Sequence, residues 1–134
     1  MKHISQLQKG MTVLSFFILS GMLGCFLLFG LTAFPLYNEY ITVKTGMKSV
    51  LSRTPSDRKT TKQVRSVFLK NMYMNNVERF NDSTVKEFVN IKKSKNGKKK
   101  YLNVKYQASN KLFDNIYIMM DVDETIELTG KVTE

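Results

Sequence analysis

The sequence predicts an α+β fold: one N-terminal transmembrane helix continuing into an amphipathic helix, then a second helix and a three-stranded antiparallel meander. Three observations carry this. No charged side chain occurs between Lys9 and Glu39. Apolar residues recur at helical spacing from Leu36 to Met72, and from Val89 onward the pattern switches to strict alternation. The organisation expected is an N-tail at 1–10, a transmembrane helix at 11–35, a juxtamembrane helix at 36–54 and a small domain at 55–134. Past Tyr40 about 94 of the 134 residues remain, room for one modest core and not for two.

The first element is QKGMTVLSFFILSGMLGCFLLFGLTAFPLYNEY, residues 8–40, which four targeting devices could claim. From Met11 to Phe34 it is uncharged over 24 residues, about 36 Å as a helix, which matches a hydrocarbon core of about 30 Å with some tilt. A cleaved secretory signal has an apolar region of about 7 to 15 residues. This one is too long, although Leu31-Thr32-Ala33 is a passable cleavage site. A lipoprotein signal ending at Cys25 fits Gly24 but not bulky Leu23, and more apolar chain follows the cut. KGMTVLSF, residues 9–16, resembles the leader junction of type IV pilins, cut after Gly10. Where pilins carry the glutamate that docks the next subunit, this chain has Ser15. An uncleaved single span remains. Lys2 and Lys9 on one side and Lys44, Lys48 and Arg53 on the other nearly tie on the positive-inside count. The short tail is the poorer candidate for export, which points to a cytoplasmic N-terminus. Within the span, Ser20, Gly21, Gly24 and Cys25 share one helix face, where small residues let another helix approach closely.

Beyond Pro35, Tyr37 and Tyr40 suit the headgroup region. Leu36, Tyr40, Val43, Met47 and Val50 give the juxtamembrane helix its buried stripe. Thr54-Pro55-Ser56-Asp57 ends it. The second helix starts at Ser56, Asp57 or Thr60 as a cap and turns Val64, Val67, Phe68 and Met72 to one face. Val89 and Ile91 alternate with Asn90 and Lys92 in the first strand. Asn96-Gly97 predicts a two-residue hairpin loop. Leu102, Val104, Tyr106 and Ala108 continue inward on the second strand. After NKLFDN, Ile116, Ile118, Met120 and Val122 form the inward face of the third, with Tyr117, Met119, Asp121 and Asp123 opposite.

The net charge of +10 is polarised. Residues 84–112 hold nine Lys against Glu87, and residues 113–134 six acids against Lys131. The sharpest polar feature is IKKSKNGKKKY. Its Lys92, Lys93, Lys95, Lys98, Lys99 and Lys100 either touch anionic headgroups or an acidic partner, or are a solvated turn that protects edge strands. Sparse aromatic interleaving argues against nucleic acid. Cys25 is the only cysteine and His3 the only histidine, so neither an intramolecular disulfide, a zinc cluster nor a histidine triad is available. There is no phosphate-cradling loop, and Asp121, Asp123 and Glu124 lack calcium-loop spacing. No catalytic or metal residues and no cofactor are expected.

Four stretches together resemble a known family: GMTVLSF, FPLYNEYITVK, VRSVFLKNMYMNNV and VKYQASNKLFDNIYIMMDVDETIEL. The chain is similar to the uncharacterised family of small single-span inner-membrane proteins of gram-negative bacteria whose genes commonly lie beside those for signal peptidase I and ribonuclease III. The family pattern at the exit of the second strand runs approximately Tyr-Glu-x-Arg-x-Pro-Leu-x-x-Asn. Tyr106, Leu112 and Asn115 match it; Gln107, Ser109 and Lys111 depart from it. The resemblance implies an inner-membrane protein with a periplasmic domain and no established activity. The expectation is a non-enzymatic accessory protein that binds a membrane partner, signal peptidase I being a candidate, or itself as a homo-oligomer. A pilin-like subunit and an anionic-membrane-surface binding module are the alternatives.

Overall fold

The computed structural model describes residues 12–95, 97 and 99–128. The Gly10–Met11 junction, His3, Asn96 and Lys98 lie outside them. Its first element is one helix, α1 (Val13–Leu51), 39 residues long. Thr12 caps it, the side-chain oxygen accepting from the Ser15 N–H, which satisfies one of the donors a helix start leaves open. Pro35 lies inside the helix without ending it. The expected transmembrane and amphipathic helices are therefore one continuous rod.

A 3-10 turn at Pro55–Arg58 leads into α2 (Thr61–Met74). Thr60 is the cap: its hydroxyl accepts from the Gln63 N–H, and the Gln63 side chain accepts from the Thr60 N–H, a reciprocal capping box. Its buried face is Val64, Phe68, Leu69 and Met72, with Val67 partly buried against the core. A one-turn helix, α3 (Val85–Phe88), precedes β1 (Val89–Lys93), β2 (Lys100–Phe113) and β3 (Ile116–Glu127). The sheet is antiparallel in the order β1-β2-β3, the expected meander.

Leu36, Val43, Met47 and Val50 of α1 and the buried face of α2 cover one side of this sheet, meeting Val89, Leu102, Val104, Tyr106, Ala108 and Val122. Residues 36–51 are thus a wall of the domain core. Phe68, Phe80 and Tyr106 stack edge to face at the centre, with centroids 5.2 and 5.1 Å apart, the preferred arrangement for ring quadrupoles. Gly46 lets α1 and α2 approach: a Cβ there would collide with the tip of Met72. Among the described residues no helix covers the other sheet face, which is mostly polar around Asn103, held there by hydrogen bonds to Asp123 (2.6 Å) and Thr125 (2.9 Å).

Three details differ from the sequence reading. The β1–β2 connection is longer than two residues: the ladder ends at Lys93↔Lys100 and Ser94 N–H donates to Lys99 O. Gly97 adopts φ +65° there, the left-handed conformation that glycine permits. The two-residue connection is instead Asp114-Asn115, between the paired Phe113 and Ile116, with Asp114 at φ 41°. Its signal is weaker because it has no glycine. Finally, Ile116 is exposed, whereas Ile118 and Met120 pack partly and Val122 fully. The helices cover only the part of the hairpin nearer the core.

Candidate functional site: the anchor helix, its collar and the exposed domain surfaces

Every residue of α1 from Val13 to Leu31 is exposed, so the domain covers none of the central apolar stretch. Ser20, Gly21, Gly24 and Cys25 lie on it in the open, and a Cβ built at Gly21 or Gly24 meets nothing within 4 Å. Among the described residues nothing occupies the small face.

Where α1 enters the domain it is clamped by polar contacts. Asn110 on β2 donates to the Thr32 carbonyl at 3.2 Å. Pro35 has no N–H, so the Leu31 carbonyl lacks its intrahelical donor, and Asn110 supports the backbone in that same turn. One turn later Glu39 pairs with Arg79 at 2.7 Å, the two side chains only 18% and 31% exposed. Arg79 also donates to Gln107 O. Tyr40 donates to Glu124, which Lys44 approaches at 3.7 Å. The Tyr40 hydroxyl beside Lys44, and then the Glu124 carboxylate, raise the lysine's pKa. The Tyr106 hydroxyl points into this region, buried and without a hydrogen-bond partner. Burial pushes the phenol above its ordinary range, and the Glu39 carboxylate adds to the effect.

None of these partners is recognisable from spacing. Glu39 and Arg79 are 40 residues apart, and neither interrupts a pattern. The one signal is that Glu39 is the first charge after the apolar stretch. The resemblance to the family pattern pointed to position 109 for an arginine; here Arg79, arriving from another element, reaches the Gln107 carbonyl instead.

The lysine hairpin lies elsewhere. Lys92, Lys93, Lys95 and Lys99 are exposed, with Lys99 3.2 Å from Glu127. Lys100 donates to the Lys59 carbonyl. Register puts these residues at one end of β2 and Phe113 at the other, about 40 Å of strand apart at 3.3 Å per residue. Since Asn110 sits beside Thr32, the lysine end is the one remote from the apolar half of α1. Asp123 and Glu124 face opposite ways, toward Lys105 and toward Tyr40. Among the described residues no group of three His, Cys, Asp or Glu could hold a metal.

Sequence reasoning did not find an open groove of about 870 Å³ along the outer side of α2 and α3. Leu69, Tyr73, Met74 and Val85 give it an apolar floor, and Lys62, Lys70 and Lys86 a basic rim, with Asp82 the one acid among the described residues that line it. Arg65 at its edge is committed to the Val89 and Lys86 carbonyls. Tyr73 and Met74 are 54% and 76% exposed, large apolar side chains at the end of an otherwise amphipathic helix.

These features define a class: a small α+β domain carried on a single N-terminal helix long and apolar enough to cross a membrane. The sequence matches the family described as a domain of unknown function, DUF4845, over residues 33–121, and the chain belongs to that family. The match opens at Ala33, so the root of α1 and the Glu39–Arg79 pair fall within the family's domain, while Thr32 and Glu124 lie just outside it. No curated protein and no solved structure matches the chain.

Proposed function

We propose that the protein is a non-enzymatic, membrane-anchored accessory protein that binds another membrane protein through its span and its small domain. The observation that carries this is the division of α1: one rigid helix is bare on all sides over its apolar half and forms the domain core over the other. Such a helix fixes the domain's height and rotation relative to anything that packs on the span. The open face of Ser20, Gly21, Gly24 and Cys25 offers close backbone approach. The groove of α2 and α3, with its lysine rim, suits an acidic segment with apolar residues from the same partner. The domain's dependence on residues 36–51 and the Asn110–Thr32 contact also support an uncleaved helix, since a cut at Ala33 would sever that contact.

In this reading the span lies in a bacterial inner membrane with the N-terminus cytoplasmic and the domain periplasmic, and signal peptidase I is a candidate partner. The lysine hairpin, at the remote end of the sheet, faces away from the protein's own bilayer and is better placed for a solvated turn or a partner than for anionic headgroups.

The test is a photoreactive residue introduced at Gly21 or Gly24. A discrete adduct supports the proposal, its mass separating a partner from a second copy of this chain. A smear of lipid adducts alone overturns the helix-packing reading. A topology reporter fused after Glu134 checks the compartment, with periplasmic activity as the expected result.

A further inference from the structure

The two hairpins of the sheet have opposite surfaces. The β1–β2 loop is lysine-rich; the tip of β2–β3 is apolar and open. Phe113 is 69% exposed, Ile116 58%, Tyr117 55% and Met119 60%. Four large apolar side chains at the end of one hairpin are unusual in water, since turns are polar by default. What covers them follows from where the tip sits. Arg79 pairs with Glu39 and donates to Gln107 O, while Asn110 donates to Thr32. As β2 ascends in number, α1 therefore descends, and the hairpin runs down the helix toward the charge-free stretch. Three further residues to Phe113 carry it up to about 10 Å past Thr32, about two helical turns. The tip stands beside the end of the apolar stretch of α1.

We infer that the β2–β3 hairpin tip is a second membrane contact, seated in the lipid interface of the leaflet where α1 leaves the bilayer. This rests on α1 being a span. The side chains suit that depth: Phe113 and Ile116 enter acyl chains, while the Tyr117 ring and the Lys111 stem keep polar ends at the headgroups. Asp114 and Asn115 and the free backbone groups of the turn limit the depth, because unpaired peptide groups are not tolerated in hydrocarbon. With two points of contact, the helix and the hairpin, the domain cannot rotate about the axis of α1, and its groove is held in one orientation to the membrane plane.

The chain contains no tryptophan, so single-tryptophan variants read depth directly. Full-length Phe113→Trp, Phe26→Trp and Lys95→Trp variants would be placed in phosphatidylcholine–phosphatidylglycerol vesicles whose lipids are brominated near the headgroup end or near the chain terminus. Phe113 is exposed, so its replacement leaves the fold intact. The expected result is loss of emission from Phe113→Trp, greater with shallow than with deep bromine. Phe26→Trp is quenched by deep bromine and Lys95→Trp by neither. Quenching of Phe26→Trp without quenching of Phe113→Trp overturns this inference alone. A blue-shifted but unquenched Phe113→Trp overturns it too, showing protein cover such as a second copy. No quenching of Phe26→Trp removes the span reading, and this inference with it.

Discussion

The two halves of α1 share one backbone and follow opposite rules. Residues 13–31 are exposed all round, and their apolar side chains have no inward face because the surroundings they suit are apolar on every side. Residues 36–51 carry a narrow stripe, Leu36, Val43, Met47 and Val50, against the core, with mostly polar residues on the opposite side apart from Tyr37 and Ile41. The first half is specified by composition and the second by spacing. Substitutions should therefore separate cleanly, with second-half changes registering in domain stability and first-half changes only in association.

The largest expected effect is at Met47, which is 2% exposed at the α1 wall of the core. Met47→Ala should cost about 2–5 kcal/mol, transfer loss plus cavity, read as a lower thermal midpoint of the sheet's circular-dichroism signal in detergent. An unchanged midpoint would mean residues 36–51 are not part of the cooperative unit. Next is the clamp: Glu39→Gln should cost about 1–2 kcal/mol, since a charge-assisted hydrogen bond is replaced by a neutral one around a half-buried guanidinium. Added salt should narrow the gap only slightly, because the pair is mostly shielded from solvent.

How far these elements could be read in advance follows the same division. The stripe of Leu36, Tyr40, Val43, Met47 and Val50, the cap Thr60 and the alternation from Val89 are local patterns, and the fold built on them matches the expectation. The β1–β2 connection is longer than Asn96-Gly97 suggests because Asn-Gly marks a turn without fixing where pairing stops; register is set by the strands on either side. Glu39–Arg79, Asn110–Thr32 and the groove of α2 and α3 depend on which elements meet, and single-sequence spacing holds no trace of that. Ile116 follows the inward alternation yet is exposed, because alternation distinguishes the two faces of a strand but not the point where its cover ends.

A smaller effect of opposite sign is expected at Tyr106. Its hydroxyl is buried without a partner, so Tyr106→Phe should stabilise the domain by about 1 kcal/mol. The pH dependence gives a second reading. The folded phenol is held protonated above the ordinary tyrosine value of 10.0, whereas the unfolded one ionises near it. Above about pH 10 the folded state thus binds more protons than the unfolded state, and stability falls as pH rises. Tyr106→Phe should lose that component, so its advantage over the native chain should widen with alkalinity. A constant difference would mean the hydroxyl is solvated in the folded protein.

The smallest effect on stability, and the sharpest contrast with Met47, is expected at Gly21. A Cβ there meets nothing within 4 Å, and the domain lies well along the helix, so Gly21→Leu should change the thermal midpoint by no more than about 0.5 kcal/mol in equivalent terms. Leucine is also a good helix former and leaves the span's length and hydropathy intact. What it removes is close approach: a branched side chain on the small face holds a neighbouring backbone away. If a partner helix packs there, photocrosslinking from Gly24 should disappear in the Gly21→Leu background while the domain remains folded. Retained crosslinking would place the contact on another face of α1, and a lost thermal transition would show that the two halves of the helix are coupled after all.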